Sequence, residues 1–272
     1  MIPAPFTYRR AWSVDEALEQ ADQGGDDAKF LAGGHSLLPL MKLRFAVPEV
    51  LIDIGRLGEL SFIRDEDAAI AVGALTSHHD LATSGLLARE LPLLAHAAGC
   101  VGDPQVRHRG TIGGSLAHGD PAGDLPAVIL ALDATLITRG PAGRREVGAA
   151  EFFRGMFETA LAPGELLTEI RIPKPPGTAW SFQKFTKRAI DWAIVGVAVQ
   201  GGNVALVNMG PTPLRAAAVE RALAGGAAPA DAAAHAAEGT SPIEDVNADR
   251  GYRQHLARVL VARALAESRS RT

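Results

Sequence analysis

Two segments of this 272-residue chain pair adjacent glycines with hydroxyl side chains: Ala32-Gly33-Gly34-His35-Ser36 and Thr111-Ile112-Gly113-Gly114-Ser115. A diphosphate is held by several N–H donors packed closely around it, and glycine removes the side chain that would keep the backbone at a distance. The first segment follows a short strand candidate, Phe30 to Ala32, and precedes apolar sequence. A helix beginning at Ser36 or Leu37 would point its positive end at the same anion. Ser36, Thr111 and Ser115 add hydroxyls for phosphate or polyol oxygens. The plain alternative is a pair of tight turns that use glycine for positive φ. Neither G-x-G-x-x-G nor G-x-x-x-x-G-K-[ST] occurs, so a nucleotide would be bound by some other fold.

Other reactive side chains carry less. His78-His79-Asp80 and His118-x-Asp120 have no third ligand at helical spacing, and no metal site is expected there. Cys100 is the single cysteine, which excludes an internal disulfide and a thiolate cage for iron–sulfur or structural zinc. Nothing resembles a nucleophile elbow, and no catalytic acid, base or nucleophile is assigned.

The elements that must carry these residues can be read coarsely. Ser13 followed by Asp15 and Glu16 marks a helix start. Leu37 to Leu43 reads as a buried helix, Val50 to Ile54 and Ala69 to Val72 as strands, and Leu75 to Leu81 as a helix from Thr76 or Ser77. Leu91 to Val101 is helical, Gly102 to Gly123 a glycine-bearing stretch, Asp124 to Leu132 a helix, and Thr135 to Thr138 and Leu166 to Ile172 strands. Pro173-Lys174-Pro175-Pro176-Gly177 is a stiff linker, which divides the chain into domains at 1–173 and 178–272. Beyond it, Trp180 to Thr186, Ile194 to Gln200 and Val204 to Met209 read as three strands, with a hairpin at Gly201-Gly202-Asn203. Leu214 to Leu223, Ala230 to Ala237 and Asp249 to Ala266 read as helices. The fold class is α+β: a mixed domain, then an antiparallel sheet backed by helices.

Composition narrows the function. A net charge of −4, from 27 basic and 31 acidic residues, offers no electrostatic case for nucleic acid or an anionic membrane. No apolar run spans a bilayer, no secretory signal is visible at Met1 to Arg10, and the scarce cysteine fits a reducing cytoplasm.

Taken in order, the segments resemble a known family. Ala32-Gly33-Gly34-His35-Ser36-Leu37-Leu38-Pro39 is similar to the first flavin loop of the FAD-binding medium subunits of the xanthine dehydrogenase and carbon monoxide dehydrogenase type. Asp103 to Arg107, Gly110 to Leu116 and Asp120 to Pro126 resemble the second loop and its continuation. Ile52 to Ile54, Gly73 to Thr76, Pro163 to Leu167 and Lys184 through Asp191-Trp192-Ala193 match other family segments, so the resemblance covers nearly the whole chain.

The resemblance implies an FAD domain of the p-cresol methylhydroxylase type, then a C-terminal domain with a three-stranded antiparallel sheet and helices. It implies noncovalent FAD, with its diphosphate held at Ala32 to Ser36 and Thr111 to Ser115. Asp124 matches a carboxylate that hydrogen-bonds the cofactor; its other reading is a helix N-cap. Trp192 matches a side chain beside the isoalloxazine, against the reading of a sheet-core aromatic. Lys184 matches a position that places positive charge near the flavin pyrimidine, against a surface lysine. Ser115 departs from a frequent Asn, and Gly119 from a small non-glycine residue, without removing a backbone donor. Gly-Gly-His-Ser is also similar to berberine-bridge flavin oxidases, in which the histidine is bonded to FAD; those chains carry a large substrate domain absent here. The benzoyl-CoA reductase branch needs more cysteines than Cys100.

The expected role is that of an electron-transfer subunit. It would take electrons from the [2Fe–2S] clusters of a small partner, itself fed by a large molybdenum–pterin subunit, in a doubled heterotrimer. NAD, oxygen or a quinone-linked acceptor would receive them. The competing readings are a self-contained flavin oxidase or reductase, whose substrate cap the chain is too short to hold, and a non-enzymatic assembly protein.

Overall fold

The structure is a computed structural model that describes residues 2–271. The chain opens with β1 (Thr7–Arg10), α1 (Val14–Gly24), β2 (Ala28–Leu31), α2 (Leu37–Leu43) and β3 (Val50–Asp53). Ser13 caps α1 by accepting from Glu16 N, and the Glu16 carboxylate returns to Trp12 N. The three strands pair in parallel in the order β1-β3-β2, with α1 packed against them through Val14, Ala17 and Ala21.

A second layer follows: β4 (Ile63–Glu66), β5 (Ala69–Gly73), then the helices α3 (His78–Thr83), α4 (Gly85–Glu90), α5 (Pro92–Gly99), α6 (Pro104–Arg109), α7 (Ile112–His118) and α8 (Asp124–Ala131). The chain returns through β6 (Thr135–Gly140), β7 (Gly143–Gly148), α9 (Ala149–Phe152), the small hairpin β8 (Phe153–Gly155) and β9 (Glu158–Thr159), and β10 (Leu166–Pro173). β4-β5-β10-β6-β7 form an antiparallel sheet. After the proline linker come β11 (Trp180–Phe185), β12 (Val195–Gln200), β13 (Asn203–Val207), β14 (Leu214–Arg215), α10 (Ala217–Ala224), α11 (Pro229–Ala233) and α12 (Arg250–Ser270).

Three readings change. The C-terminal sheet has four antiparallel strands, β11-β12-β13-β14, not three. Leu214 and Arg215 leave the helix read there and pair with Leu206 and Ala205. Arg215 is drawn onto the sheet edge by Asp133, Asn203 and Glu220, and α10 starts only at Ala217. The stretch from Gly102 to Gly123, read only as glycine-bearing, holds α6 and α7, capped by Asp103 onto Val106 N and by Thr111 onto Gly114 N. Finally, α2 is a helix but not a buried one: only Met41 is enclosed, while Leu38 and Leu43 are exposed.

α8 sits at the centre. All eight of its residues are buried, so it is enclosed on every side. Leu125 and Val128 share one apolar cluster with α5 and α7, and also with Phe182, Ala198, Ala205 and Val207 of the C-terminal sheet. β12 is buried on both faces: Ala198 turns to α8, while Val195, Val197 and Val199 join the cluster that includes α12.

Candidate functional site

One cavity of about 830 Å³ opens between the two glycine segments, the N-terminus of α8, the end of β11 and the loop before β12. It lies in the upper part of the range of roughly 300–1,000 Å³ usual for small-molecule and cofactor sites. Ala32, Gly33, Gly34, His35, Ser36, Thr111, Gly114, Ser115, Asp124, Lys184 and Trp192 all line it. Ile112 and Gly113 do not. The Ile112 side chain is in the core, its N–H donates to Thr76 O, and Gly113 N–H donates to Ala74 O.

The two segments present different chemistry. In the first, the N–H groups of Gly33 through Leu37 have no acceptor among the described residues, and Ser36 leads into α2 without capping it. Five open amides and a free hydroxyl therefore belong to residues of one cavity wall. The second segment has spent four of its five amides, all but that of Thr111: besides those of Ile112 and Gly113, Gly114 N–H is bound to Thr111 Oγ1 and Ser115 N–H to Thr111 O. What it offers the cavity is hydroxyls, from Thr111 and Ser115, and the bare face of Gly114.

The glycines separate in the same way. A Cβ on Gly33 would stand 2.0 Å from Arg109 O, and one on Gly113 2.6 Å from Ala74 O, so these two let backbones touch each other. Gly34 supplies a left-handed turn at φ +79°. A Cβ on Gly114 would meet only a side chain, Thr111 Oγ1 at 2.8 Å, with nothing else nearer than 4.0 Å.

At the other end, Lys184 Nζ donates to Asp124 Oδ2 at 2.6 Å and to Cys100 O at 3.1 Å. The two side chains are only 11% and 5% exposed, so Lys184 is not a surface lysine. Nor is Asp124 an N-cap: Gly123 holds that position and Asp124 is the first residue of α8. Burial pushes the Asp124 carboxyl up to about 6, against the pull of Lys184. Its Oδ1 is buried without a partner among the described residues, an open acceptor at the cavity wall. Trp192 is 61% exposed and stands in the loop between β11 and β12, outside the sheet core.

Several wall residues lie outside those the sequence reading assigns to the cofactor. His78 packs against Gly110 and is buried; burial first, then His35 and Arg107, push its imidazole down to about 4. Its Nδ1 has no partner among the described residues. The loop from Thr159 to Glu165 forms another wall, and Glu165 fastens it by accepting from Arg145, Thr138 and Ala162 N. Burial works to raise the Glu165 carboxyl, but these donors outweigh it and hold it below the usual range. These bonds cross 20 and 27 residues, and no local pattern announces them.

An open-amide cradle, hydroxyls opposite, an unpartnered buried carboxylate oxygen and an aromatic side chain at the mouth fit a flavin dinucleotide. The family comparisons agree. Residues 4–175 match the FAD binding domain in molybdopterin dehydrogenase, and residues 180–268 the CO dehydrogenase flavoprotein C-terminal domain. The chain is 45% identical to the carbon monoxide dehydrogenase medium chain of Hydrogenophaga pseudoflava, over 97% of each chain. It is 36% identical to the glyceraldehyde dehydrogenase medium chain of Sulfolobus acidocaldarius, over 98% of this chain and 99% of that one. The solved carbon monoxide dehydrogenase from H. pseudoflava superposes with a TM-score of 0.95 at 46% identity, covering 100% of this chain and 99% of its counterpart.

Proposed function

The chain belongs to the FAD-binding medium subunits of the molybdenum hydroxylase family, and on that basis we propose that it serves as the electron-transfer subunit of a heteromeric dehydrogenase. It takes electrons from the [2Fe–2S] clusters of a small partner subunit, itself fed by a large molybdenum–pterin subunit, and passes them to an external acceptor. The observation that carries this reading is the single cavity in which the open amides, Asp124, Lys184 and Trp192 converge.

Bound FAD supplies an electron store that can be filled one electron at a time and emptied in pairs. The protein supplies position and field. The amides of Gly33 to Leu37 and the hydroxyls of Ser36, Thr111 and Ser115 hold the diphosphate. Asp124 Oδ1 accepts from a cofactor N–H or hydroxyl, and Lys184 keeps that carboxylate charged and oriented. Because Lys184 is already bound to Asp124, its charge reaches the cofactor as part of a pair. Trp192 covers the exposed side and limits what approaches.

Among the described residues no helix is long and apolar enough to cross a membrane. The partners are a large molybdenum–pterin subunit and a small iron–sulfur subunit, assembled as a doubled heterotrimer. The test is an affinity pull-down of the tagged chain from its host, with a visible spectrum and metal analysis of the eluate. Co-elution of a large molybdenum protein and a small iron–sulfur protein with releasable FAD is the expected result. A chain that elutes alone, yellow and active on an organic substrate, would replace this reading with a self-contained oxidoreductase.

A further inference from the structure

Along its own length the loop that carries Trp192 has one backbone hydrogen bond, Asp191 N–H onto Arg188 O at 3.0 Å. From Lys187 to Ile190 its residues are exposed, and burial resumes only at Ala193. Its two ends are closed by Ile194 N–H donating to Phe185 O at 2.8 Å. What fixes the loop is its base. Asn208 Nδ2 donates to Ala193 O at 2.8 Å and reaches Ile194 O at 3.4 Å, and Arg253 Nη1 donates to Ile194 O. Arg253 is fully buried in α12 and is itself held by Asp245 Oδ2 at 2.7 Å.

Asn208 has a second contact. Its backbone is left-handed, φ +60°, a region that few non-glycine residues adopt and asparagine tolerates best. That conformation turns its N–H onto Pro121 O at 2.8 Å. Pro121 stands three residues before Asp124, in a turn closed by Ala122 N–H onto Asp120 Oδ1 and Gly123 N–H onto Asp120 O. One buried side chain and its own amide therefore join the turn that delivers Asp124 to the base of the loop that delivers Trp192. A turn alone would be served by glycine, and a compact polar residue alone by aspartate. Only asparagine combines the left-handed backbone with a side-chain donor for two carbonyls.

We infer that Asn208, backed by Arg253, is a positioning residue that fixes where Trp192 stands over the cavity relative to Asp124. It acts through the loop and touches no reacting atom. The inference rests on the reading of the cavity as the FAD site.

The test uses the full-length chain in the assembly it forms in its host. Asn208→Gly keeps the backbone and removes the donor; Asn208→Asp keeps the shape and replaces the donor with an acceptor; Arg253→Lys keeps one donor. Trp192→Ala calibrates the optical signal. Amide hydrogen exchange at Asp191 and Ile194, whose N–H groups are bonded to Arg188 O and Phe185 O, and the emission of bound flavin are measured in each. In Asn208→Gly and Asn208→Asp, exchange in the loop is expected to rise about tenfold or more while β11 and β12 stay protected. Flavin emission should rise toward that of Trp192→Ala, with Arg253→Lys in between. Unchanged loop exchange and emission in the Asn208 variants, with flavin bound and Trp192→Ala brighter, overturn the inference. If Asn208→Gly does not fold, unchanged loop exchange in Asn208→Asp and Arg253→Lys overturns it equally. An unaltered chain that purifies without flavin is a different result: it removes the FAD reading, and this inference with it.

Discussion

Lys184 Nζ lies 2.6 Å from Asp124 Oδ2, so β11 on one side of the proline linker and the first turn of α8 on the other meet in a buried ion pair at the cavity wall. A buried pair of this kind is weak evidence for stability, because desolvation offsets the attraction. Its value here is that one carboxylate oxygen is engaged and the other left open toward the cavity.

That arrangement gives FAD binding a pH dependence. A donor on the cofactor that bonds Asp124 Oδ1 favours the ionised carboxylate, whose folded-state pKa is raised to about 6. Affinity should fall on acidification through that value, by up to about tenfold per pH unit below it. Fluorescence titration with FAD at pH 5 and pH 8 reads this directly. Asp124→Asn should bind more weakly at pH 8 and lose the dependence; an unchanged pH profile in that variant would mean that Oδ1 meets no cofactor donor.

His78 titrates in the stability of the chain. Its folded-state pKa is lowered from 6.5 to about 4, so its contribution is complete above 6.5 and is lost as pH falls toward 4. Asp124 runs the other way, since its raised pKa costs stability as pH rises from 3.8 to about 6. Comparison with His78→Gln cancels the Asp124 contribution. The stability gap between the two proteins should shrink by about 2 kcal/mol between pH 7 and pH 5. Denaturant unfolding at both pH values checks it, and a constant gap would contradict the shift.

The glycines separate into two kinds by substitution. Gly33→Ala drives a Cβ against the Arg109 carbonyl and should cost about 1–3 kcal/mol in addition to FAD. Gly114→Ala crowds only the Thr111 side chain that caps α7, at 2.8 Å, and helix propensity returns up to about 1 kcal/mol against that crowding. Its melting temperature should stay near that of the unaltered chain while FAD affinity drops. Thermal melts with and without FAD distinguish the two, and equal losses in both variants would rule out the division.

Trp192→Ala should leave stability within about 0.5 kcal/mol, as expected for an exposed side chain. It should raise the emission of bound flavin and speed reaction of the flavin with added sulfite. A melting temperature several degrees lower would instead place Trp192 in packing contacts.

The sequence made parts of this site legible for definable reasons. Gly33, Gly34, Gly113 and Gly114 stand out from the pairs Gly24-Gly25, Gly201-Gly202 and Gly225-Gly226 by their flanking hydroxyls, yet the sequence does not separate glycines that face a ligand from those that face another strand or helix. Ile112 was grouped with the cradle by adjacency alone, although it is a core residue. The helices α6 and α7 were overlooked beneath their glycines, while their signals, Asp103-Pro104 and Thr111, stood in the sequence. The pairing of Lys184 with Asp124 spans 60 residues, and that of Glu165 with Arg145 spans 20, so local patterning could not have found either. The half-exposed α2 reads as buried because its apolar residues are dense, and density carries no information about what covers them.

The sharing of α8 bears on how such chains can be recombined. The linker at Pro173 to Gly177 invites a chimera that splices the front of one relative to the back of another. The apolar cluster forbids it in that simple form, because Leu125 and Val128 belong to the front while Ala198, Ala205 and Val207, which close the same core, belong to the back. A working hybrid would have to exchange α8 together with the inner faces of β12 and β13, cutting the chain on both sides of the helix. What reads in sequence as a place to cut is a boundary between two domains whose packing runs through one shared core.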